Sequence, residues 1–317
     1  MTLARAAYPA LALLALLSLG TGASGIGPLQ LLTDPEGLWL LAVSRLPRTV
    51  AALLAGAGLA VAGVIMQMLA RNRFVEPATA GTGEAAGLGL VAVTLLAPAS
   101  AIWLKMLAAT ATALAGTAGF LAMVRRLPPR EPLLVPLTGI VYGGILGAAT
   151  TFLAYERDLL QYIGIWMNGE FSGVMIGRYE YLWISGGLTV LAYLFADRFT
   201  IAGMGRDMSV NLGLSYGQVM AFGLFIVSVI TALTVVTVGM IPFVGLVVPN
   251  IVSRIRGDNL RHSLPIVALS GAALVLACDV LARVIRYPYE IPVGTVLGIV
   301  GGAIFLWLLH SRGSRGH

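Results

Sequence analysis

The chain has 317 residues, of which 58% are apolar and only 11% are charged, and its mean hydropathy is +0.91. These values exclude an ordinary water-soluble domain, because about 25% of the residues in such domains are charged. The net charge of +6 follows from membrane topology, as argued below, so nucleic-acid binding is not needed to explain it.

Uncharged runs along the chain predict a bundle of membrane helices, because a helix of about 20 apolar residues crosses a bilayer. The run 208–253 is too long for one helix, and Gly239, Pro242 and Pro249 divide it. The predicted spans are 6–33, 49–70, 85–104, 106–124, 132–155, 181–196, 216–238, 243–255, 263–278 and 291–309. We therefore predict an all-α polytopic membrane protein with about ten transmembrane helices, some of them short or interrupted by Pro and Gly. A single transmembrane domain would cover residues 1–317.

The distribution of Lys and Arg predicts the orientation, because cytoplasmic loops carry an excess of both. With the N-terminus inside, thirteen of the twenty basic residues lie on the cytoplasmic side and seven on the outer side. Both termini are therefore predicted to be cytoplasmic. The first twenty residues also have features of a cleaved signal peptide, since Arg5 precedes an apolar run and residues 21–25 are small. That alternative leaves nine helices and reverses the charge argument for the N-terminus.

Glycines recur every fourth residue in two of the predicted helices. The two sets are Gly139, Gly143 and Gly147, and Gly294, Gly298 and Gly302. Small residues at this spacing let a neighbouring helix approach closely. We interpret both sets as helix-packing surfaces.

The sequence argues against an enzyme. Residues 22–25 match the serine motif of rhomboid-type proteases, but the histidines that could serve as base, His262, His310 and His317, lie in predicted cytoplasmic segments. The only lysine, Lys105, does not follow a phosphate-binding glycine loop. No His, Cys, Asp or Glu cluster has metal-ligand spacing. We predict a transport subunit without a metal or cofactor, in which another subunit performs any ATP-driven step.

Ionisable residues in or near the spans are also compatible with a secondary carrier, which couples transport to an ion gradient. Glu84, Asp279, Arg283 and Glu290 are candidates for coupling to protons or sodium, because a charge is retained in a membrane mainly for function. Asp279 and Arg283 lie four residues apart, which favours a structural ion pair. A secondary carrier and a membrane-embedded structural or signalling subunit are the rival hypotheses.

Three blocks of sequence resemble a known family. The first comprises residues 45–48 (RLPR), Gln67 and residues 72–77 (NRFVEP), and the second is residues 203–213 (GMGRDMSVNLG). The third comprises residues 243–250 (FVGLVVPN), 279–283 (DVLAR) and 291–294 (IPVG). On these blocks the chain resembles, over about residues 45–309, the FecCD-type permeases of ABC importers for iron-siderophores, haem and cobalamin. It departs from the family at residues 73–75, where Pro-Leu-Ala is usual, and at Asn250, where many members have His.

The resemblance implies a docking surface at the outer face. Arg45, Arg48 and Arg283 would meet acidic side chains on the two lobes of a substrate-binding protein. Complementary charges of this kind mainly steer the encounter and fix its register.

The resemblance also implies a path through the bundle. Asn72 and Phe74 would form the inner constriction, Pro249 and Asn250 would lie on the path, and Trp166 would lie beside its outer mouth. Two other interpretations stay open, since Phe74 could anchor the loop at an interface and Trp166 could be an interfacial aromatic residue.

The second block implies a contact with an ATPase. Its short helices would fit a groove on that subunit through Gly205, Arg206, Asp207, Asn211, Leu212 and Gly213. Without the resemblance, the same residues would be interpreted as an ordinary turn. The implied partners are a second permease subunit, identical or homologous, two ABC ATPase subunits, a periplasmic or lipid-anchored substrate-binding protein and membrane lipid, without nucleic acid.

The resemblance extends to the cargo. Asn250, residues 168–173 (NGEFSG) and residues 287–290 (YPYE) look most like members that serve catecholate-type ferric siderophores. Haem and cobalamin stay open as alternatives. The predicted function is the membrane-spanning permease of an ABC importer in the bacterial cytoplasmic (inner) membrane.

Overall fold

The structure, a computed structural model, describes residues 2–22, 33–128 and 133–310. Within these ranges the regular structure is helical and no strand occurs. The α-helices are α1 Thr2–Gly20, α2 Pro35–Leu69, α3 Thr82–Leu96, α4 Ile102–Val124, α5 Leu134–Tyr155, α6 Leu160–Met167, α7 Leu182–Leu194, α8 Ala196–Gly203, α9 Arg206–Asn211, α10 Tyr216–Thr237, α11 Val244–Arg256, α12 Leu260–Val284 and α13 Val293–His310. The predicted all-α class is confirmed.

Some residues used in the sequence predictions lie outside the described ranges. They are residues 23–32 of the predicted span 6–33, which include residues 23–25 of the rhomboid-like motif, residue 132 of the predicted span 132–155, His317, and three arginines counted for the orientation, Arg130, Arg312 and Arg315.

Among the described residues, six helices are long and apolar enough to cross a membrane, namely α2, α4, α5, α10, α12 and α13. The other predicted spans correspond to α1, whose apolar stretch is Tyr8–Gly20, and to the shorter helices α3, α7 with α8, and α11. The polytopic prediction is therefore confirmed, and the count of ten transmembrane helices is approximate. We call the end of the bundle that holds Arg48 and residues 285–292 the predicted outer end, and the opposite end the predicted inner end.

The predicted boundary between the spans 85–104 and 106–124 is wrong. The run 85–104 was predicted as one span, but α3 ends at Leu96 and α4 begins at Ile102. Ala97 precedes Pro98 and has φ −145° and ψ 75°. Because the residue before a proline disfavours helical geometry, the helix stops there.

Helix α2 lies at the centre of the bundle and packs against α7, α10, α11 and α12. Glycines make two of these approaches possible. A Cβ atom on Gly56 would overlap the carbonyl group of Gly271 in α12, and one on Gly63 would overlap the backbone of Gly245 in α11. The backbones are therefore in direct contact at both positions, as is common where small residues line membrane helices.

Helix α11 is short and begins inside the bundle. Its 13 residues span about 20 Å, and it follows a sharp turn in which Gly239 and Phe243 have φ values of 95° and 68°. Residues 166–170 pair with this turn, since Gly169 N donates to Met240 O at 2.9 Å and Met240 N donates to Trp166 O at 3.0 Å. The predicted interruption of the run 208–253 is thus present and is held by backbone hydrogen bonds.

Candidate translocation and coupling site

The α2–α3 loop, residues 70–81, contains the predicted inner constriction. Arg71 has a left-handed backbone with φ 49°. The buried Asn72 accepts a hydrogen bond at its Oδ1 from Phe74 N at 2.8 Å, which is the pattern of an Asx turn. Asn72 N donates to Gln67 O at 2.9 Å. Asn72 therefore fixes the direction in which the loop leaves α2.

Asn250 in α11 contacts the same loop. Its Nδ2 donates to Arg73 O at 2.8 Å and to Leu246 O at 2.7 Å. The side chain is buried, so these bonds satisfy an amide group that would otherwise be costly to bury. The structure thus brings two of the predicted path residues, Asn72 and Asn250, together through the backbone of the loop.

Two further contacts hold the loop to both ends of α11, and neither was predicted from the sequence. The Glu76 side chain is buried, and its Oε1 accepts a hydrogen bond from Phe243 N at 2.8 Å, just before the first turn of α11. An oxygen acceptor at this position caps the helix, although burial raises the pKa of the Glu76 carboxyl group to about 7. At the other end, Arg73 forms an ion pair with Asp258. The loop and α11 therefore form one connected unit.

Pro249 connects α11 to α2. A proline has no N–H group, so the carbonyl group four residues earlier, that of Gly245, lacks its usual intrahelical donor. Gln67 Nε2 in α2 donates to Gly245 O at 3.4 Å. Gly63 of α2 also faces the backbone of Gly245. Because neither glycine has a side chain, the backbones of α2 and α11 are in direct contact beside this hydrogen bond.

Phe74 packs against α13 rather than pointing away from the chain. Its ring meets the ring of Phe305 edge to face, with centroids 6.1 Å apart and an interplanar angle of 75°. This geometry is among those that aromatic pairs prefer. The contact fits the alternative that Phe74 anchors the loop, and a role in closing the path stays a prediction.

Trp166 contacts the turn before α11. It is near the end of α6, and its carbonyl oxygen accepts the bond from Met240 N in the turn before α11. Gly294 N at the start of α13 donates to Gly169 O at 2.9 Å. The predicted outer segment is thereby tied to α10, α11 and α13, and the role of Trp166 at the path mouth stays a prediction.

Asp279 is at the centre of a buried ion cluster at the predicted outer end. Its Oδ1 is 2.8 Å from Arg48 Nη2 and its Oδ2 is 2.7 Å from Arg283 Nη2. Arg48 Nη1 also pairs with Glu290 Oε2 at 2.8 Å. The side chains of Asp279 and Arg283 are 1% and 4% exposed, so both charges depend on these partners. The predicted Asp279–Arg283 ion pair is confirmed.

Two of the arginines predicted for docking, Arg45 and Arg283, also hold α1 in place. Arg283 Nη1 donates to Ser18 O at 2.9 Å and to Thr21 O at 2.8 Å, and Arg45 Nη1 donates to Leu19 O at 2.9 Å. The cluster therefore joins α1, α2 and α12. Contacts of Arg45, Arg48 and Arg283 with a substrate-binding protein stay a prediction, since these guanidinium groups have partners within the chain.

The predicted coupling segment, residues 203–213, forms a short projection at the predicted inner end. Gly205 and Gly213 have φ values of 110° and 76°, which favour glycine, and they enclose α9. Ser209 Oγ donates to Gly205 O at 2.7 Å. Arg206, Asp207, Met208, Val210, Asn211 and Leu212 are all exposed, whereas Gly205 is buried.

The coupling segment touches the α2–α3 loop. A Cβ atom on Gly205 would lie 3.3 Å from Arg71 Cζ, so the guanidinium group of Arg71 covers this glycine. This contact joins the coupling segment to the α2–α3 loop. No spacing in the sequence relates residues 71 and 205.

Replacing Glu76 by alanine is expected to loosen the start of α11. The change leaves Phe243 N without its acceptor, and loss of a helix cap costs about 0.5–2 kcal/mol. We expect a lower thermal midpoint for the purified chain, measured by loss of the monodisperse peak after heating. Glu76→Gln keeps an oxygen acceptor and serves as the matched control. Equal midpoints for wild type and Glu76→Ala would contradict the capping role.

These features are typical of the membrane subunit of a transporter: a multi-pass helical bundle with an interrupted helix, a polar loop beside it and an exposed projection at one end. The fold matches that of a solved structure described as a metal-chelate type ABC transporter in an inward-facing conformation. The TM-score is 0.82 at 22% identity, over 98% of this chain and 99% of that chain. At this identity the likeness establishes the fold alone.

The chain belongs to the FecCD transport family, whose model matches residues 10–311. It is 46% identical to the petrobactin import system permease protein YclN of Bacillus subtilis, covering 95% of this chain and 96% of that protein. It is 45% identical to the ferric-anguibactin transport system permease protein FatD of Vibrio anguillarum, covering 92% and 93%. The predicted family is confirmed, and the chain is a membrane-spanning transport subunit rather than an enzyme in its own right.

Proposed function

We propose that this chain is the permease of an ABC importer that moves a ferric siderophore across the cytoplasmic membrane, with both termini in the cytoplasm. The observation that carries the proposal is the near full-length similarity to the petrobactin and ferric-anguibactin permeases, at 46% and 45% identity. A second permease subunit would complete the channel. Two ATPase subunits and a substrate-binding protein would complete the importer.

Catecholate-type chelates are the proposed cargo class. Asn250 contributes little to this assignment, because its amide is bound to Arg73 O and Leu246 O rather than exposed. Tyr287 and Tyr289 give better support, since they lie at the predicted outer end with 61% and 70% of their surface exposed. Exposed aromatic rings can stack on the aromatic rings of a catecholate.

The proposed mechanism couples ATP binding to the α2–α3 loop. When the ATPases close, they would move the exposed face of α9, and the contact between Gly205 and Arg71 would carry that movement to the loop. Because Glu76 and Asn250 join the loop to α11, the loop and α11 would move as one body. Rigid-body movement of packed elements is a common form of gating.

Uptake in iron-starved cells tests the cargo. Cells with and without this gene are given ferric catecholate chelates labelled with radioactive iron, and unlabelled haem and cobalamin serve as competitors. We expect deletion to abolish the uptake, a plasmid copy of the gene to restore it, and neither competitor to reduce it. Unchanged uptake in the deletion strain would contradict the siderophore assignment and leave haem and cobalamin as the cargoes to test.

A further inference from the structure

A cavity of about 620 Å³ opens between α4 and α10 near the predicted inner end. Its apolar walls are formed by Ala118, Leu121 and Ala122 of α4 and by Met220, Ala221 and Leu224 of α10. Ala118, Ala122 and Ala221 are exposed, and their side chains are too short to fill the space between the two helices. The volume is within the range of roughly 300–1,000 Å³ that is usual for small-molecule sites.

Two arginines lie at one end of this cavity. Arg125 directly follows α4, Arg206 begins α9, and both line the cavity beside Tyr216. Both arginines are exposed. In the part of the chain that the structure describes, neither of them forms an ion pair. The cavity thus has apolar walls along α4 and α10 and two positive charges at its inner end.

We propose that this cavity binds an anionic phospholipid. The lipid phosphate would lie between Arg125 and Arg206, because a guanidinium group donates two parallel hydrogen bonds to phosphate oxygens. An acyl chain would lie along the apolar walls. Basic pockets between membrane helices on the cytoplasmic side are suited to anionic headgroups.

A phospholipid fits this cavity better than an acidic protein segment does. A peptide carboxylate would match the two charges, but it would leave the apolar walls between α4 and α10 unfilled. A zwitterionic lipid would fill the walls but would bring an ammonium group close to the two arginines. The site goes beyond the proposed transport function, but it shares Arg206 with the segment proposed to contact the ATPase and rests on the predicted orientation of the chain.

Native mass spectrometry of the purified full-length chain tests the site. The chain is mixed with phosphatidylglycerol or phosphatidylcholine in detergent, and the lipids retained are counted. Arg125→Gln and Arg206→Gln are each expected to weaken phosphatidylglycerol retention about 5-fold. Arg126→Gln is the matched control. It removes the same charge at the next position in the chain, but Arg126 does not line the cavity as Arg125 does. Ala221→Phe fills the walls without changing charge and is also expected to reduce retention.

Three results would overturn the proposal. Retention of phosphatidylglycerol at the wild-type level by both Arg125→Gln and Ala221→Phe would show that the cavity does not hold it. Equal losses in Arg125→Gln and Arg126→Gln would indicate general attraction to a basic surface. If Arg125→Gln weakened the binding of the ATPase subunit and left phosphatidylglycerol retention unchanged, the cavity would be assigned to a protein partner.

Discussion

Replacing Asp279 by alanine is expected to destabilise the chain more than any other single change of charge. The substitution removes the carboxylate that Arg48 and Arg283 share, and Arg283 is then left with neutral partners in a buried position. Removing one member of a buried ion pair costs about 3–5 kcal/mol. We expect a large fall in the thermal midpoint of the purified chain, or its loss from the membrane fraction.

Asp258→Ala is the matched control for this prediction. Asp258 also pairs with an arginine, Arg73, but the two side chains are 54% and 49% exposed. An ion pair at such exposure contributes about 1 kcal/mol at most. If Asp258→Ala lowered the midpoint as much as Asp279→Ala, the stabilising role assigned to the buried cluster would be wrong.

Replacing Gly63 by alanine is expected to separate α2 from α11. The added methyl group would overlap the carbonyl group and the Cα atom of Gly245. Backbone atoms cannot move aside as readily as the end of a flexible side chain can. Adding a methyl group to a tightly packed core costs about 1–3 kcal/mol. Because the α2–α3 loop is bonded to α11, we expect transport to fall as well as the thermal midpoint.

Gly187→Ala provides the comparison for the glycine substitution. Gly187 is in α7, and a Cβ atom there would meet nothing within 4 Å. This variant is expected to keep the midpoint and the transport rate of the wild type. If Gly63→Ala behaved in the same way, the direct backbone contact between α2 and α11 would not be needed for either property.

Local patterns in the sequence predicted much of the fold. Apolar runs gave the positions of the helices, and the spacing of Asp279 and Arg283 predicted their ion pair because both lie on one face of a helix. The glycine spacing was a weaker guide: a Cβ atom on Gly139 would overlap the carbonyl group of Thr79, which lies in the α2–α3 loop rather than in a helix, and one on Gly298 would meet nothing within 4 Å. For the helices and the ion pair, the information lies within a few residues or within one helix.

Contacts between distant parts of the chain were not predictable in this way. Glu76 and Phe243 are 167 positions apart, and Arg48 and Asp279 are 231 apart. No periodicity relates such residues, because their contact depends on how the helices are arranged around α2. Pro249 offered a partial signal, since a proline within a helix leaves a carbonyl group without its donor, but the identity of the donor, Gln67, required the structure.

Reconstitution tests the central claim most directly, namely that this chain is the membrane path of an ATP-driven siderophore importer. The chain is placed in proteoliposomes with its partner permease and ATPase subunits. Accumulation of ferric catecholate is measured with the binding protein at the outer face of the importer and ATP at its cytoplasmic face. We predict accumulation that requires ATP hydrolysis and persists when the proton and sodium gradients are collapsed. Accumulation by the chain without ATPases, driven by an ion gradient, would contradict the claim and favour a secondary carrier.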